Sequence, residues 1–264
     1  MGIKDFYLNN KVALIVGGRR GLGRAMAQAF AEAGADIAVT DIVSEGLEET
    51  AEEVRKFGRR SLSIPMDITK KADVEKTVKK VVAELGGIDI LVNTAIREVV
   101  TEFIDLKEGD WDVTFEVGLK GYFLTSQAVA KQMIIQGRGG SIINMSSRSY
   151  VMPRERSGAY GTIKAGVVAL TGQLAMELGK YNIRANALAP SVVLTEAAGD
   201  LWEEAEKRKI MEAEIPLGRL STPEEIANVA LFLASDGASY VSGRTIIIDG
   251  GSMWVGASNP PPKK

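Results

Sequence analysis

The sequence contains neither cysteine nor histidine. Without cysteine it has no disulfide, no thiolate nucleophile and no Cys-ligated metal. Without histidine it has no Ser-His-Asp triad, no imidazole base and no His-ligated zinc. Acid–base chemistry falls to Tyr, Lys, Asp or Glu. Among metals, only carboxylate-bound Mg²⁺ stays open, and no metal site is expected. No run approaches about 18 apolar residues, so no membrane-spanning helix is expected. Neither sign of charge is in excess: 32 Lys and Arg stand against 34 Asp and Glu, a net charge of −2. That balance, with no basic stripe, argues against a nucleic-acid or membrane partner. The segment Met1 to Phe6 lacks a signal-peptide apolar core, and the expected compartment is the cytoplasm.

The 45% of apolar residues in 264 fall into a regular alternation. Short β-branched runs read as buried strands at 11–16, 36–40, 61–65, 88–92, 140–145, 184–188 and 245–248. Longer amphipathic stretches between them read as helices at 22–33, 44–57, 71–84, 111–135, 160–178 and 222–234. Ser44 is the expected cap of the second helix; Thr222 with Pro223 caps the last. Strands separated by helices imply an α/β fold with a parallel, doubly wound sheet of seven strands. No linker breaks the pattern, so residues 1–264 read as a single domain. The segment 195–215 is charged and irregular, and reads as a lid over a substrate or as a solvated surface helix. Residues 252–264 form a C-terminal tail, and its Pro-rich end is expected to be extended.

The first strand runs into Gly17-Gly18-Arg19-Arg20-Gly21-Leu22-Gly23 and then a helix. Open α/β sheets bind ligands at the carboxyl ends of their strands. Glycines there let the backbone approach a pyrophosphate, and the helix start offers N–H groups and a positive dipole end. Asp41 ends the second strand about 20 residues beyond this loop, where an acid accepts hydrogen bonds from an adenosine ribose. It would repel a 2′-phosphate, so NAD is favoured over NADP. A guanidinium at Arg19 or Arg20 would favour a 2′-phosphate and keeps NADP possible.

These residues resemble the short-chain dehydrogenase/reductase family over nearly the whole chain, from about Asn10 to Gly251. The glycine loop is similar to that family's T-G-x-x-x-G-[IL]-G motif, with Val16 where Thr is usual. Asn93-Thr94-Ala95-Ile96 lies where the family has N-N-A-G, and keeps its first Asn and its Ala. Ser147, Tyr160 and Lys164 match the catalytic Ser and the Y-x-x-x-K motif. Tyr160 and Lys164 lie at i and i+4 of a helical stretch and share one face. Tyr7 and Lys11 have the same spacing but precede the first strand, and read as surface. Pro190 to Thr195 resembles the P-G-x-[IV]-x-T segment that holds the nicotinamide. The resemblance implies a Rossmann fold binding NAD(P) through Gly17, Arg20, Gly21, Leu22, Gly23, Asp41, Asp67, Ile68, Asn93, Ala95, Tyr160, Lys164, Pro190, Val193 and Thr195.

It also implies an NAD-dependent oxidoreductase that interconverts a secondary alcohol and a ketone. Tyr160 would be the base in oxidation and the acid in reduction, and Ser147 would orient the substrate oxygen. A free Tyr titrates near 10, so Lys164 and the nicotinamide are expected to pull the phenol down by about 2–3 units. Arg97, Arg148, Arg154 and Arg156 fall in regions that border the family's substrate pocket. They suggest a clamp for an anionic substrate, such as a hydroxy acid, a sugar acid or a hydroxyacyl thioester. The alternative is solvated arginines, one of them paired by Glu155. Gly118 stands where the family has an Asn that holds a proton-relaying water. That departure keeps open a weakly catalytic or non-catalytic subunit of a hetero-oligomer, beside a second alternative, an NADPH-dependent 3-oxoacyl reductase. Relatives of this length imply a homotetramer or dimer, with 111–135 and 160–178 at one interface.

Overall fold

The computed structural model describes residues 2–196 and 205–257. Seven strands form one parallel sheet: β1 (Val12–Val16), β2 (Asp36–Asp41), β3 (Ser61–Pro65), β4 (Ile90–Asn93), β5 (Gly140–Met145), β6 (Ile183–Pro190) and β7 (Thr245–Ile248). Their order is β3-β2-β1-β4-β5-β6-β7, and the sheet is parallel as the alternating pattern implies. The helices are α1 (Gly21–Glu32), α2 (Leu47–Lys56), α3 (Lys71–Leu85), α4 (Glu108–Phe115), α5 (Gly121–Gln136), α6 (Gly158–Leu178), α7 (Ala205–Ala213) and α8 (Pro223–Ala234). No described helix is long and apolar enough to cross a membrane.

The unbroken apolar run of β1 follows from a sheet covered on both faces. Ala13 and Ile15 point into a core layer with Met26 and Phe30 of α1, Ala51 and Val54 of α2, and Ile226 and Leu233 of α8. Val12, Leu14 and Val16 point the other way, into a layer with Val74 and Val81 of α3, Tyr122 and Val129 of α5, and Val167 of α6. The chain crosses from β1 to β2 and β3 on one side, then returns to β4 on the other side of β1. The strand order reverses there, which leaves a crevice outside the carboxyl ends of β1 and β4.

Two helices differ from the sequence reading. The second begins at Leu47, not Ser44, because the chain first makes a turn in which the Leu47 amide donates to the Ser44 carbonyl (3.2 Å). The stretch 111–135 is not one helix. It is α4 and α5 joined by a π-helical turn, Glu116–Lys120, in which the Gly121 amide donates to the Glu116 carbonyl five residues back. Such turns carry one extra residue in the ladder and are frequent near functional sites. Part of the expected lid, 197–204, lies outside the described residues, as does 258–264 of the tail. Ser252–Ala257 is a 3-10 turn.

Candidate active site

At the end of β1 the backbone amides of Gly17 and Gly18 both donate to the Thr40 carbonyl of β2 (2.8 and 2.9 Å). Gly17 has φ +83°, and a Cβ there would lie 2.7 Å from Thr94 Oγ1 and 2.8 Å from the Ala95 amide. Gly23 is pressed harder still: a Cβ would lie 2.2 Å from the Gly17 carbonyl oxygen. Only glycine permits this approach of α1 to the loop. Thr94 straps the loop from the other side, its hydroxyl donating to the Val16 and Gly17 carbonyls (2.8 and 3.1 Å). Arg20 is exposed at the N-cap of α1 and its side chain makes no capping bond. Gly21 (φ +56°) faces Thr195, whose side chain would be 3.7 Å from a Cβ. Leu22 packs on the core layer of α1. Pro190 is buried at the end of β6, and Val193 makes a bridge with Ser221.

Asp41 closes β2, and its Oδ1 accepts from the Val43 amide (3.1 Å). Arg19 packs its stem near Gly46, and its buried Nε finds no partner among the described residues. Asp67, after β3, accepts from the Thr69 amide and hydroxyl (3.0 and 2.7 Å) and pairs with Lys70 (3.1 Å). Burial raises its carboxyl, but Thr69 and Lys70 outweigh that and hold it below the ordinary value. The following Ile68 is buried against Gly121.

The Asn93 side chain is committed to the interior, which leaves only its backbone for a cofactor. Nδ2 donates to Asn144 Oδ1 (2.9 Å) and Ser126 Oγ (3.3 Å), and Oδ1 accepts from the Thr125 hydroxyl (2.8 Å). Asn144 donates onward to Thr171 (3.0 Å). This buried chain ties β4, α5, β5 and α6 together beneath the crevice.

The short turn after β5 and the first turn of α6 bring Ser147, Tyr160 and Lys164 together. Ser147 is buried, and its Oγ accepts from the Ser149 amide (3.2 Å). Tyr160 and Lys164 do share one face of α6: the Lys164 Nζ lies 5.5 Å from the Tyr160 ring centre. Lys164 is fully buried and donates to the Met145 carbonyl (2.7 Å). The Ser146 hydroxyl in turn donates to the Lys164 carbonyl (2.9 Å).

The electrostatics differ from expectation. The protein's own groups raise the Tyr160 phenol rather than lower it. Burial is the main cause; the Ser147 hydroxyl opposes it, Glu98 adds to it and Arg154 opposes it. Burial also pulls Lys164 down to about 7, against a small upward push from Glu98. The same desolvation that brings the two groups together disfavours both charged forms.

The arginines are placed on the rim, and three are engaged. Arg154 pairs with Glu98 on the loop after β4, and its guanidinium lies 5.7 Å from the Tyr160 ring centre. Arg156 pairs with Glu102 (3.5 Å). The partners are these two glutamates, not Glu155. The Thr101 amide donates to the Arg156 carbonyl (2.9 Å), so the loop after β4 lies along the segment before α6 as a strap. Arg148 donates to Ser252 Oγ (2.5 Å), which links the turn of Ser147 to the segment after β7. Arg97 is exposed.

A family model described as enoyl-(acyl carrier protein) reductase matches residues 16–253. A crystal structure of a short-chain type dehydrogenase/reductase from Mycobacterium marinum superposes with a TM-score of 0.90. It is 38% identical, over 95% of this chain and 98% of its own. The chain belongs to the short-chain dehydrogenase/reductase family. An NAD-dependent glycerol dehydrogenase of Listeria innocua is 42% identical over 94% of this chain and 96% of its own. A 2-dehydro-3-deoxy-D-gluconate 5-dehydrogenase of Dickeya dadantii is 40% identical over 97% of this chain and 99% of its own.

Within this short-chain dehydrogenase/reductase the departure at Gly118 has a steric reason. Gly118 is buried in the π-helical turn, and a Cβ there would lie 2.8 Å from Ile96 Cδ1 and 2.9 Å from Ile163 Cγ2. Ile96 is itself a departure from the family pattern, and its Cδ1 lies against Gly118. Glu98, Glu102, Thr94 and Tyr122 are site residues that sequence reasoning missed. Glu98 and Arg154 are 56 positions apart, and only their opposite charges in adjoining pocket loops would have signalled the pair.

Proposed function

We propose that this oxidoreductase interconverts a secondary alcohol and a ketone by hydride transfer with NAD, NADP remaining possible. The convergence of Ser147, Tyr160 and Lys164 beside the glycine loop carries the reading. The loop fits a dinucleotide: Gly17 and Gly23 exclude any Cβ, and the start of α1 has no side-chain cap to occupy its N–H groups. Asp41 favours NAD, as does the kinship with an NAD-dependent glycerol dehydrogenase. The buried, unpartnered Nε of Arg19 favours a 2′-phosphate and supports NADP as the second reading. Once bound, the nicotinamide supplies the hydride acceptor and a positive charge that favours the Tyr160 phenolate.

The chain's own groups divide the remaining work. In oxidation Tyr160 Oη takes the alcohol proton, and in reduction it returns one to the ketone oxygen. Ser147 Oγ donates to the substrate oxygen and holds it against Tyr160. Lys164 stabilises the phenolate when charged.

The substrate is inferred to be small and polyhydroxylated. Arg154 and Arg156 are offset by Glu98 and Glu102, so the rim offers paired donors and acceptors rather than a bare cation. Such pairs suit hydroxyl groups. An acidic substrate is the second reading, favoured by Arg148 beside Ser147 and by the kinship with a dehydrodeoxygluconate dehydrogenase. A second copy of the chain is the inferred partner, since Phe123 of α5 and Met176 of α6 are exposed apolar residues on those helices.

Fluorescence titration with NADH and NADPH, followed by NAD⁺ reduction with glycerol, threitol and glycerate, tests the reading. NADH binding with turnover of a polyol is expected. Tyr160→Phe should lower kcat about 100- to 10,000-fold while NADH still binds. Binding of neither cofactor would return the chain to the non-catalytic alternative.

A further inference from the structure

Lys164 is a buried cation with one hydrogen-bond acceptor, the Met145 carbonyl, among the described residues. Its second neighbour is Tyr122 of α5, which is fully buried. The Nζ lies 5.4 Å from the Tyr122 ring centre and 5.5 Å from that of Tyr160. Lys164 thus lies near two phenol rings, both within the roughly 6 Å over which a ring face attracts a cation. No polar side chain can reach it from the preceding helical turn, because Gly118 is closed off by Ile96 and Ile163. The Tyr122 hydroxyl has no hydrogen-bond partner among the described residues. A buried orphan hydroxyl costs stability, so the contribution of Tyr122 lies in its ring.

We propose that Tyr122 is a positioning residue for the reaction: its ring face holds the Lys164 ammonium from the α5 side, where no polar side chain from position 118 can do so. This rests on the reading of Lys164 as the partner of Tyr160. Cation attraction is stronger where water is excluded, as it is here. The ionisable groups facing Lys164 are Tyr160 of its own helix, Tyr122 of α5 and Glu98 of the loop after β4; Arg154 lies over the Tyr160 ring. Loss of the Tyr122 ring removes one of the groups that favour the ammonium, and it gives up its proton more readily.

The test needs no substrate. Burial lowers the folded Lys164 to about 7, against 10.5 for a free lysine. Across that window the unfolded chain holds more protons, so stability rises with pH from about 7 upward. Urea denaturation from pH 5.5 to 9.5, compared with Lys164→Met, isolates this rise. Tyr122→Phe keeps the ring, and the onset should stay put with stability equal or higher. Tyr122→Leu should move the onset down by about one pH unit. Phenylalanines of increasing fluorination at position 122 keep the shape but weaken the ring face, and should move it stepwise the same way. With an accepted substrate, the alkaline limb of kcat should follow while the NADH Kd does not. An unmoved onset in the leucine and fluorinated variants would overturn the proposal. So would an upward shift, which is what water entering a mere cavity would produce. An equal shift in Tyr122→Phe would also overturn it, by assigning the effect to the hydroxyl.

Discussion

The floor and the rim of the crevice are built by different physics. The floor is backbone against backbone and amide against amide: Gly23 on the Gly17 carbonyl, Thr94 strapping the loop, and Asn93 joined to Thr125, Ser126 and Asn144 with no exposure. The rim is held by ion pairs in solvent, Glu98 with Arg154 and Glu102 with Arg156. Buried polar contacts are costly to break because the abandoned partner keeps its desolvation penalty. Exposed pairs contribute little and can be exchanged. On the proposed reading, cofactor geometry belongs to the rigid floor and substrate choice to the replaceable rim.

The comparison breaks most visibly at Gly23. Gly23→Ala puts a methyl group into the Gly17 carbonyl and should cost about 1–3 kcal/mol, with weakened NADH binding. At about 2–4 °C per kcal/mol, a thermal melt will register it, and fluorescence titration reads the affinity. Next is Asn93→Ala, which strands the Asn144 amide oxygen and should cost about 1–3 kcal/mol in urea denaturation. Because that side chain faces inward, its NADH affinity should change far less than that of Gly23→Ala.

The rim responds differently. Glu98→Gln should shift stability by less than about 1 kcal/mol, yet unmask Arg154. The expected outcome is a KM for glycerate that falls several-fold relative to glycerol, measured by NADH production. An unchanged ratio would remove the rim from substrate choice. The smallest effect belongs to Glu102→Ala. Both partners of that pair are more than half exposed, and the Thr101 amide still holds the strap, so the melting temperature should barely move.

Sequence patterning located all seven strands because a doubly covered sheet demands apolar runs and because glycine punctuates the helix ends. It placed Tyr160 and Lys164 on one face of α6 because residues four apart on a helix are local information. It missed the break between α4 and α5, since a π-helical turn needs one added residue and leaves the apolar pattern nearly intact. The pairing of Arg154 was also invisible. The only acid near in sequence is Glu155, whereas the partners of Arg154 and Arg156 lie in a loop brought alongside only by the fold. The direction of the Tyr160 shift was missed for a related reason. Distance to Lys164 can be argued from spacing, but burial of both groups at once depends on the packing of α5 and β5 around them.

The contact between Ile96 and Gly118 also restricts the order in which this site can change. Gly118→Asn alone would drive a side chain into Ile96 and Ile163, whereas Ile96→Gly alone would remove the side chain that fills this space. Each step alone disturbs the contact, and the pair together restores room. Two positions in contact like this are expected to be non-additive, and a double-substitution cycle at 96 and 118 in urea denaturation reads their coupling.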